Sequence, residues 1–347
     1  MPRFTPDYLI ETGSRIFAAA GSPPEQARTV AELLVEANTV GHDSHGVIRI
    51  PQYLAMIEQG DIDPGADIAV LRDMPAAAVL DAQWAFGQVA MSRAVAMARD
   101  KASQTGVAAV TLRRDNHIGR LGSYVDLLAR DNMIGLLFVN GTPTCRMAPW
   151  GGTEARLGTN PLATGIPTRE GAPIILDMTT TVVAEGKVRV QRNRNQPAPD
   201  GWLLDAQGQP TNDPNVLYSE PRGTILPLGG SVGHKGFGLN VAVELLAGAL
   251  SGSGCVGQDR QFSNGVLLMA INVAHFTPLD QFHREVSDFV AFVKSSPTAP
   301  GYEQIYMPGE IEAQVRQQRL AEGLLIEEET WQQITACADQ LGCSLDN

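Results

Sequence analysis

The amino-acid sequence predicts an α/β fold, with a mixed sheet at its centre and helices gathered towards its ends. Two aliphatic, β-branched runs, residues 107–112 and 134–139, have the length and composition of buried strands. Each follows a helical pattern, at 86–103 and around Tyr124, Leu127 and Leu128, and each ends in a polar loop. That order places functional groups at strand ends. Residues 5–60, in contrast, carry helical signals alone.

Bulk properties narrow the class. At 347 residues the chain exceeds one ordinary domain, so two domains or one large core with lobes are expected. Hydrophobic content of 44% and charged content of 18% are those of a soluble globular protein. The net charge of −12 argues against nucleic acid or an anionic membrane as the main partner. No run approaches a membrane span, and residues 1–7 lack the apolar centre of a secretion signal. Cys145, Cys255, Cys337 and Cys343 form no Cys-x-x-Cys pair, so neither a disulfide framework nor a cysteine metal site is expected. The expected location is the cytoplasm.

Element by element, Thr5 caps a first helix to Ala20 with Pro6 at its first position. Ser22 caps a second, with Pro23 in its first turn, and residues 30–37 give that helix a buried face. Gly41 ends it, and a third helix is expected from Ser44 to about Gly60. Residues 61–75 read as loop and 76–80 as a short strand. Beyond 139 come glycine- and proline-rich turns, a strand at 174–178, and an irregular excursion over 193–224. An apolar helix at 237–250, a strand at 266–271 and helices at 278–294, 308–323 and 327–341 complete the chain. Trp150 is read as core, and His275 and His283 as structural.

The densest chemistry lies in Gly41-His42-Asp43-Ser44-His45-Gly46-Val47-Ile48-Arg49. On the expected third helix, His45 and Arg49 fall at i and i+4, on one face. An imidazole titrating near neutrality would then sit one turn from a guanidinium fork that grips carboxylates. That pairing suits a dehydrogenase of 2-oxo or 2-hydroxy acids. Other motifs carry less. Gly252-Ser253-Gly254-Cys255-Val256-Gly257 has the G-x-G-x-x-G spacing, but it follows a helix instead of a strand and reads as a helix stop. Gly233-His234-Lys235-Gly236 is no Walker loop, yet it sets a lysine at a helix start where anions bind. His42, His45 and His117 could be combined into a zinc site, and a metal-dependent hydrolase is the rival of a different class.

Taken together, the motifs resemble the type-2 malate/L-lactate dehydrogenase family, also called malate/L-sulfolactate/ureidoglycolate dehydrogenase-like, in its hydroxycarboxylate dehydrogenase branch. The resemblance rests on Asp43-Ser44-His45-Gly46-Val47 with Arg49, Asn116-His117-Ile118-Gly119, Ala148-Pro149-Trp150-Gly151-Gly152 and Gly158-Thr159-Asn160-Pro161-Leu162-Ala163. Leu176-Asp177-Met178-Thr179-Thr180, Gly186-Lys187, His234-Lys235-Gly236 and Pro308-Gly309-Glu310 continue it in family order. It implies a fold that is not Rossmann: a helical domain from both chain ends (1–72 and 308–347), and an α/β cofactor and substrate region (73–307). It also implies a homodimer that reduces 2-oxo acids, or cyclic imino acids of the Δ1-piperideine-2-carboxylate type, with NADH or NADPH.

The resemblance further implies site residues. His45 is the proton donor with Ser44 as its relay partner, and His117 is a second acid/base. Arg49 grips the substrate carboxylate, and Thr159 and Gly186 lie on the substrate side. His117, Ile118, Gly119, Arg120, Asn140, Asp177, Met178, Thr179, Lys235, Pro308, Gly309 and Glu310 contact the cofactor. No metal is expected. Basic segments at Arg113-Arg114, Arg120 and 189–194 place NADPH ahead of NADH. One departure stands out: Glu185 occupies a position where many members carry Arg. Like-charge repulsion there disfavours a dicarboxylate such as malate, or sulfolactate, and favours a monocarboxylic 2-oxo acid.

Overall fold

The computed structural model describes residues 2–257, 261–343 and 345. Met1, 258–260, Ser344, Asp346 and Asn347, which the expected domain spans include, lie outside the described residues. After a short strand β1 (Arg3–Phe4), helix α1 (Pro6–Ala19) starts where expected. The Thr5 hydroxyl accepts the Tyr8 amide at 3.3 Å, and Pro6 fills the first position, where no N–H is needed. Helix α2 (Pro24–Thr39) departs in detail: its N-cap is Pro23, and Ser22 does not cap it. A residue before proline is held extended, so Pro23 takes the capping conformation and Pro24 the first turn.

The expected third helix is broken. Asp43–His45 and Val47–Arg49 are separate 3-10 turns, and helix α3 (Ile50–Glu58) begins only after them. Gly46 between them is extended, and a Cβ there would lie 2.2 Å from the Asn38 amide oxygen. That same oxygen accepts the Val47 amide at 2.8 Å, so the chain is pressed onto α2 where only glycine fits. His45 and Arg49 therefore do not share one α-helical face.

The sheet comprises β2 (Ala69–Met74), β3 (Ala77–Asp81), β4 (Val107–Asp115), β5 (Met133–Thr142), β6 (Leu162–Ile166), β7 (Ile174–Met178) and a late strand, Ser263–Asn272. Three two-residue strands precede that last one, so β8 (Leu203–Leu204), β9 (Pro210–Thr211), β10 (Thr224–Ile225) and β11 (Ser263–Asn272) complete the numbering to this point. The large sheet runs β2-β3-β4-β11-β5-β6-β7. Its β3–β4 pair is parallel, and the other pairs are antiparallel. Edge strand β2 falls within the segment expected to be loop; its residues are mostly exposed, so it shows no apolar alternation.

Helices α4 (Gly87–Thr105) and α5 (Leu121–Arg130) pack on this sheet. Ala90, Ala94 and Ala98 of α4 and Val125 and Leu128 of α5 meet Leu80, Val110, Leu112, Leu137, Val266 and Leu268 in one core. A second core joins the chain ends: Ile16, Phe17, Leu34 and Tyr53 pack with Phe86, Leu324 and Ile334. There β1 pairs with β12 (Leu324–Leu325), which lies between α9 (Glu310–Glu322) and α10 (Glu328–Gln340).

Residues 193–224 are more ordered than expected. With α6 (Glu185–Asn193) before them, β8, β9 and β10 form a small sheet with its own core of Val188, Ala198, Leu203, Leu217 and Ile225. Strands of two residues are too short to show a periodicity. The apolar helix expected at 237–250 starts earlier, as α7 (His234–Val243), and widens into a π-helical turn over Glu244–Ala249. Helix α8 (Leu279–Lys294) follows β11. Trp150 is not core: it is 45% exposed, with its ring edge against His234 at 6.0 Å. No helix among the described residues is long and apolar enough to cross a membrane.

Candidate active site

The broken segment brings His45 to the loop after β4. His45 Nδ1 lies 3.2 Å from His117 Nε2, and the two ring planes are parallel to within 10°. On the far side, His117 Nδ1 lies 2.7 Å from the Tyr53 hydroxyl, which also accepts the Gln88 amide at 2.8 Å. Asn116 fixes the loop by donating to the carbonyls of Asp61, Trp84 and Ala85. Burial, then the Arg49, His42 and Arg120 charges, lower the pKa of His45 to about 3. His117 is held well below the usual imidazole value by burial, then by Arg49 and His45. Both rings are therefore neutral at neutral pH.

Arg49 lies beside this pair, with Nε on the Ser44 carbonyl at 2.7 Å and Nη1 on Gln52 at 2.5 Å. The N-terminus of α6 closes the same side: a Cβ on Gly186 would lie 3.8 Å from Ser44 Cβ. The preceding Glu185 accepts the Tyr218 hydroxyl at 2.5 Å, and Arg192 lies 4.4 Å over the Tyr218 ring. Thus the excursion delivers Tyr218 to the N-terminus of α6. Among the described residues, no hydrogen bond joins the Ser44 hydroxyl to His45, so the expected relay contact is not formed. His42 turns instead to Glu312 of α9 at 3.4 Å, away from a three-histidine cluster. No group of three His, Cys, Asp or Glu among the described residues is placed to hold a metal ion.

Of the remaining segments, 118–120, 177–179 and 308–310 lie against one another. Arg120 is buried, pairs with Glu36 at 3.2 Å and lies 3.9 Å from Asp177. Asp177 accepts the Gly122 amide at 2.7 Å; burial raises its carboxyl pKa, against the pull of Arg120. The Pro308 carbonyl accepts the Ile175 amide at 3.0 Å, which lays 308–310 along β7. Glu310, the first residue of α9, accepts the Met307 amide at 2.9 Å and pairs with Lys294 at 2.5 Å. Ile118 and Gly119 lie in the His117 loop, and Met178 and Thr179 at the end of β7. The Thr159 carbonyl accepts the Thr180 amide at 3.0 Å, and the Leu228 amide reaches the Thr180 carbonyl at 3.0 Å. Lys235, exposed in the first turn of α7, follows from there.

Asn140 stands apart from these. It is fully buried, and its side chain is committed to Glu244, Gly254 and the Gly265 amide. With Asn160 and Asn240 it forms an interior polar network that ties β5 to α7. Neither that network nor Tyr53 and Gln88 was read from the sequence. Tyr53 lies four positions after Arg49, but its aliphatic neighbours give it the look of a core aromatic.

Residues 4–335 match the profile of the malate/L-lactate dehydrogenase family. A malate dehydrogenase of Pyrococcus abyssi is 36% identical, over 98% of this chain and 95% of its own. Hydroxycarboxylate dehydrogenase B of Escherichia coli is 34% identical, over 98% of this chain and 94% of its own. The crystal structure of a Δ1-piperideine-2-carboxylate reductase from Pseudomonas syringae superposes with a TM-score of 0.85 at 29% identity, covering 97% of this chain and 100% of its own. These likenesses imply a small hydroxy or oxo acid as substrate and a nicotinamide cofactor. The chain belongs to the malate/L-lactate dehydrogenase family of 2-hydroxy acid dehydrogenases.

Proposed function

We propose that the protein transfers hydride between a nicotinamide dinucleotide and a 2-oxo/2-hydroxy carboxylic acid, with His45 as proton donor and acceptor. The observation that carries this reading is the buried, uncharged His45–His117 pair set beside the Arg49 guanidinium. Residues suited to the cofactor are present. The Arg120 Nε is buried without a hydrogen-bond partner, and Lys235 sits exposed at a helix start. Both fit an anionic, hydrogen-bonding group. Arg120, the 117–119 loop, 177–179, Lys235 and 308–310 would hold it. When bound, the nicotinamide supplies or takes the hydride at the substrate carbon.

The protein's own residues do the rest. Arg49 holds the substrate carboxylate through two N–H groups and fixes which face is presented. That carboxylate opposes the charge which, after burial, most depresses His45, so substrate binding shifts the imidazole towards its protonated form. His45 then protonates the developing alkoxide, or in reverse removes the hydroxyl proton. His117 orients His45 and is the second choice for the acid.

Substrate and cofactor choice follow from the neighbours. Glu185 beside Arg49 opposes a second carboxylate, which supports a monocarboxylic 2-oxo acid. The imine-reducing alternative is favoured by the fold shared with the piperideine-2-carboxylate reductase. Arg113 and Arg114 are both committed to Asp81, at 3.0 and 2.7 Å, which removes two of the cations invoked for a 2′-phosphate. NADPH keeps its place ahead of NADH through Arg120 and 189–194. We further propose a cytoplasmic homodimer, supported by apolar side chains left bare on α8, with Phe289 57% and Phe292 77% exposed. The helical unit 1–72 with 308–347 is supported by the β1–β12 pairing and the core shared by the chain ends. A non-Rossmann mode of nucleotide binding is supported by the antiparallel pairing across most of the sheet.

The test is loss of nicotinamide absorbance with NADH and NADPH separately, against pyruvate, branched and aromatic 2-oxo acids, glyoxylate, oxaloacetate and piperideine-2-carboxylate. Oxidation with a 2-oxo acid supports the reading, and oxidation with the cyclic imine alone replaces it by the alternative. No oxidation with any of them, and no nucleotide binding, overturns it.

A further inference from the structure

We infer that Tyr53 and Gln88 are a buried positioning pair that dictates which nitrogens of His117 and His45 carry hydrogen. Both side chains are about 1% exposed, and neither belongs to the motifs that mark the site. The assignment follows from hydrogen-bond bookkeeping. The Gln88 amide nitrogen can only donate, so at 2.8 Å it occupies an acceptor position of the Tyr53 oxygen. The hydroxyl hydrogen then goes to the nearer of two acceptors: His117 Nδ1 at 2.7 Å, against the His117 carbonyl at 3.4 Å. With Nδ1 accepting, neutral His117 carries its hydrogen on Nε2 and donates to His45 Nδ1 at 3.2 Å. Neutral His45 therefore carries its own hydrogen on Nε2, the nitrogen facing away from His117.

A hydroxyl differs here from the carboxylate that commonly orients a catalytic histidine. A carboxylate would raise the imidazole pKa, whereas Tyr53 leaves the pair uncharged. The groups acting on the pair are Arg49, His42 and Arg120, all of which lower it, together with Tyr53 and Asp115 around the buried hydroxyl. Burial raises the Asp115 carboxyl well above its usual range, so it supplies little negative charge. Tyr53 keeps its proton, because burial pushes its pKa up to about 12. The hydroxyl can also accept. When His45 is doubly protonated, its Nδ1–H needs His117 Nε2 as acceptor; His117 Nδ1–H then donates to Tyr53, whose hydrogen turns to the His117 carbonyl. One amphoteric group thus serves the free and the protonated states of the pair.

This inference rests on the proposed roles of His45 and His117, and its test separates the two. Histidine 15N NMR on the ligand-free protein should show His117 with a bare Nδ1 and a protonated Nε2. In Tyr53→Phe the two tautomers should mix. Turnover should fall roughly 10–100-fold, as for other partners that orient a functional imidazole, with the Michaelis constant for the oxo acid little changed. Gln88→Met, which keeps the tyrosine, should reproduce the mixed tautomers in part and carries the test if Tyr53→Phe does not fold. Unchanged tautomers in the variants, or unchanged turnover, would overturn the assignment. Fixed tautomers in a protein inactive on every 2-oxo acid would overturn the proposed function and leave the positioning pair standing.

Discussion

Arg319 of α9 holds Asp43 with two guanidinium nitrogens, Nη1 to Oδ1 at 2.6 Å and Nη2 to Oδ2 at 3.0 Å. Nη1 also reaches the Asn38 carbonyl at 2.5 Å, and Asn38 itself donates to Asp43 at 2.7 Å. A helix near the end of the chain thereby clamps the turn that carries Ser44 and His45. Because Asp43 is half exposed, losing the clamp should cost stability by less than ~1 kcal/mol. Its larger effect should be positional. Arg319→Ala is expected to lower turnover by about tenfold or more, since small misplacements of reacting groups are costly, while the melting temperature shifts by only a few degrees. Turnover equal to that of the parent protein would show that the clamp is structural only.

Removing the two imidazoles separately decides which is the acid. His45→Ala should reduce turnover by ~10²–10⁴-fold, the usual worth of general acid–base catalysis. His117→Ala should be impaired less, because it removes an orienting partner and leaves the donor. Steady-state rates with the best oxo acid from the substrate panel make the comparison. An inactive His117 variant beside a fully active His45 variant would hand the role to His117.

The same two residues make stability depend on pH in a defined direction. An unfolded chain protonates histidine near pH 6.5, while folded His45 resists down to about 3 and His117 is shifted the same way. Below pH 6.5 the unfolded state therefore binds more protons, and stability falls as pH falls through that window. Each such group contributes a slope of up to about 1.4 kcal/mol per pH unit. Asp115 acts oppositely: its raised carboxyl pKa means folding takes up a proton, so its contribution is lost as pH rises above 3.8. Urea midpoints at pH 7, 6, 5 and 4 should fall steeply in the parent and less steeply in His45→Gln. Parallel curves would refute the link between burial and charge at this pair.

Much of this was legible in the sequence, and the parts that were not share a cause. The 107–112 and 134–139 runs read as strands because their aliphatic residues are buried on one face of the sheet and at least half-buried on the other. Thr5-Pro6 read as a helix start because capping is local. The turns at 43–49 were misread as helix because the break at Gly46 comes from Asn38, eight positions away and on another element. Tyr53, Gln88 and the Asn140–Glu244–Asn160 network escaped for the same reason: the hydrogen-bond partner of each is distant in the chain. His45, Arg49 and His117 could be named as candidates because the motif pattern needs no geometry. The relay contact drawn from Ser44 to His45 did need geometry, and the structure turns His45 towards His117.

Glu185 offers the sharpest test of substrate choice. It sits at the first position of α6, where a carboxylate is favoured by the helix dipole, and the Tyr218 hydroxyl at 2.5 Å holds it in place. It acts on Arg49 together with the opposing Arg189, so the substrate end meets one fixed negative group among cations. A monocarboxylate bound on Arg49 brings no second charge to that group, whereas oxaloacetate brings a carboxylate towards it. Glu185→Arg should therefore raise kcat/KM for oxaloacetate relative to pyruvate by tenfold or more, since a charge reversal beside a bound anion alters binding by at least about 1.4 kcal/mol in a partly buried site. Tyr218→Phe, which frees the carboxylate without removing it, should shift the ratio much less. A preference left unmoved by Glu185→Arg would mean that the second carboxylate is excluded by shape elsewhere in the pocket, and that Glu185 serves only to anchor Tyr218.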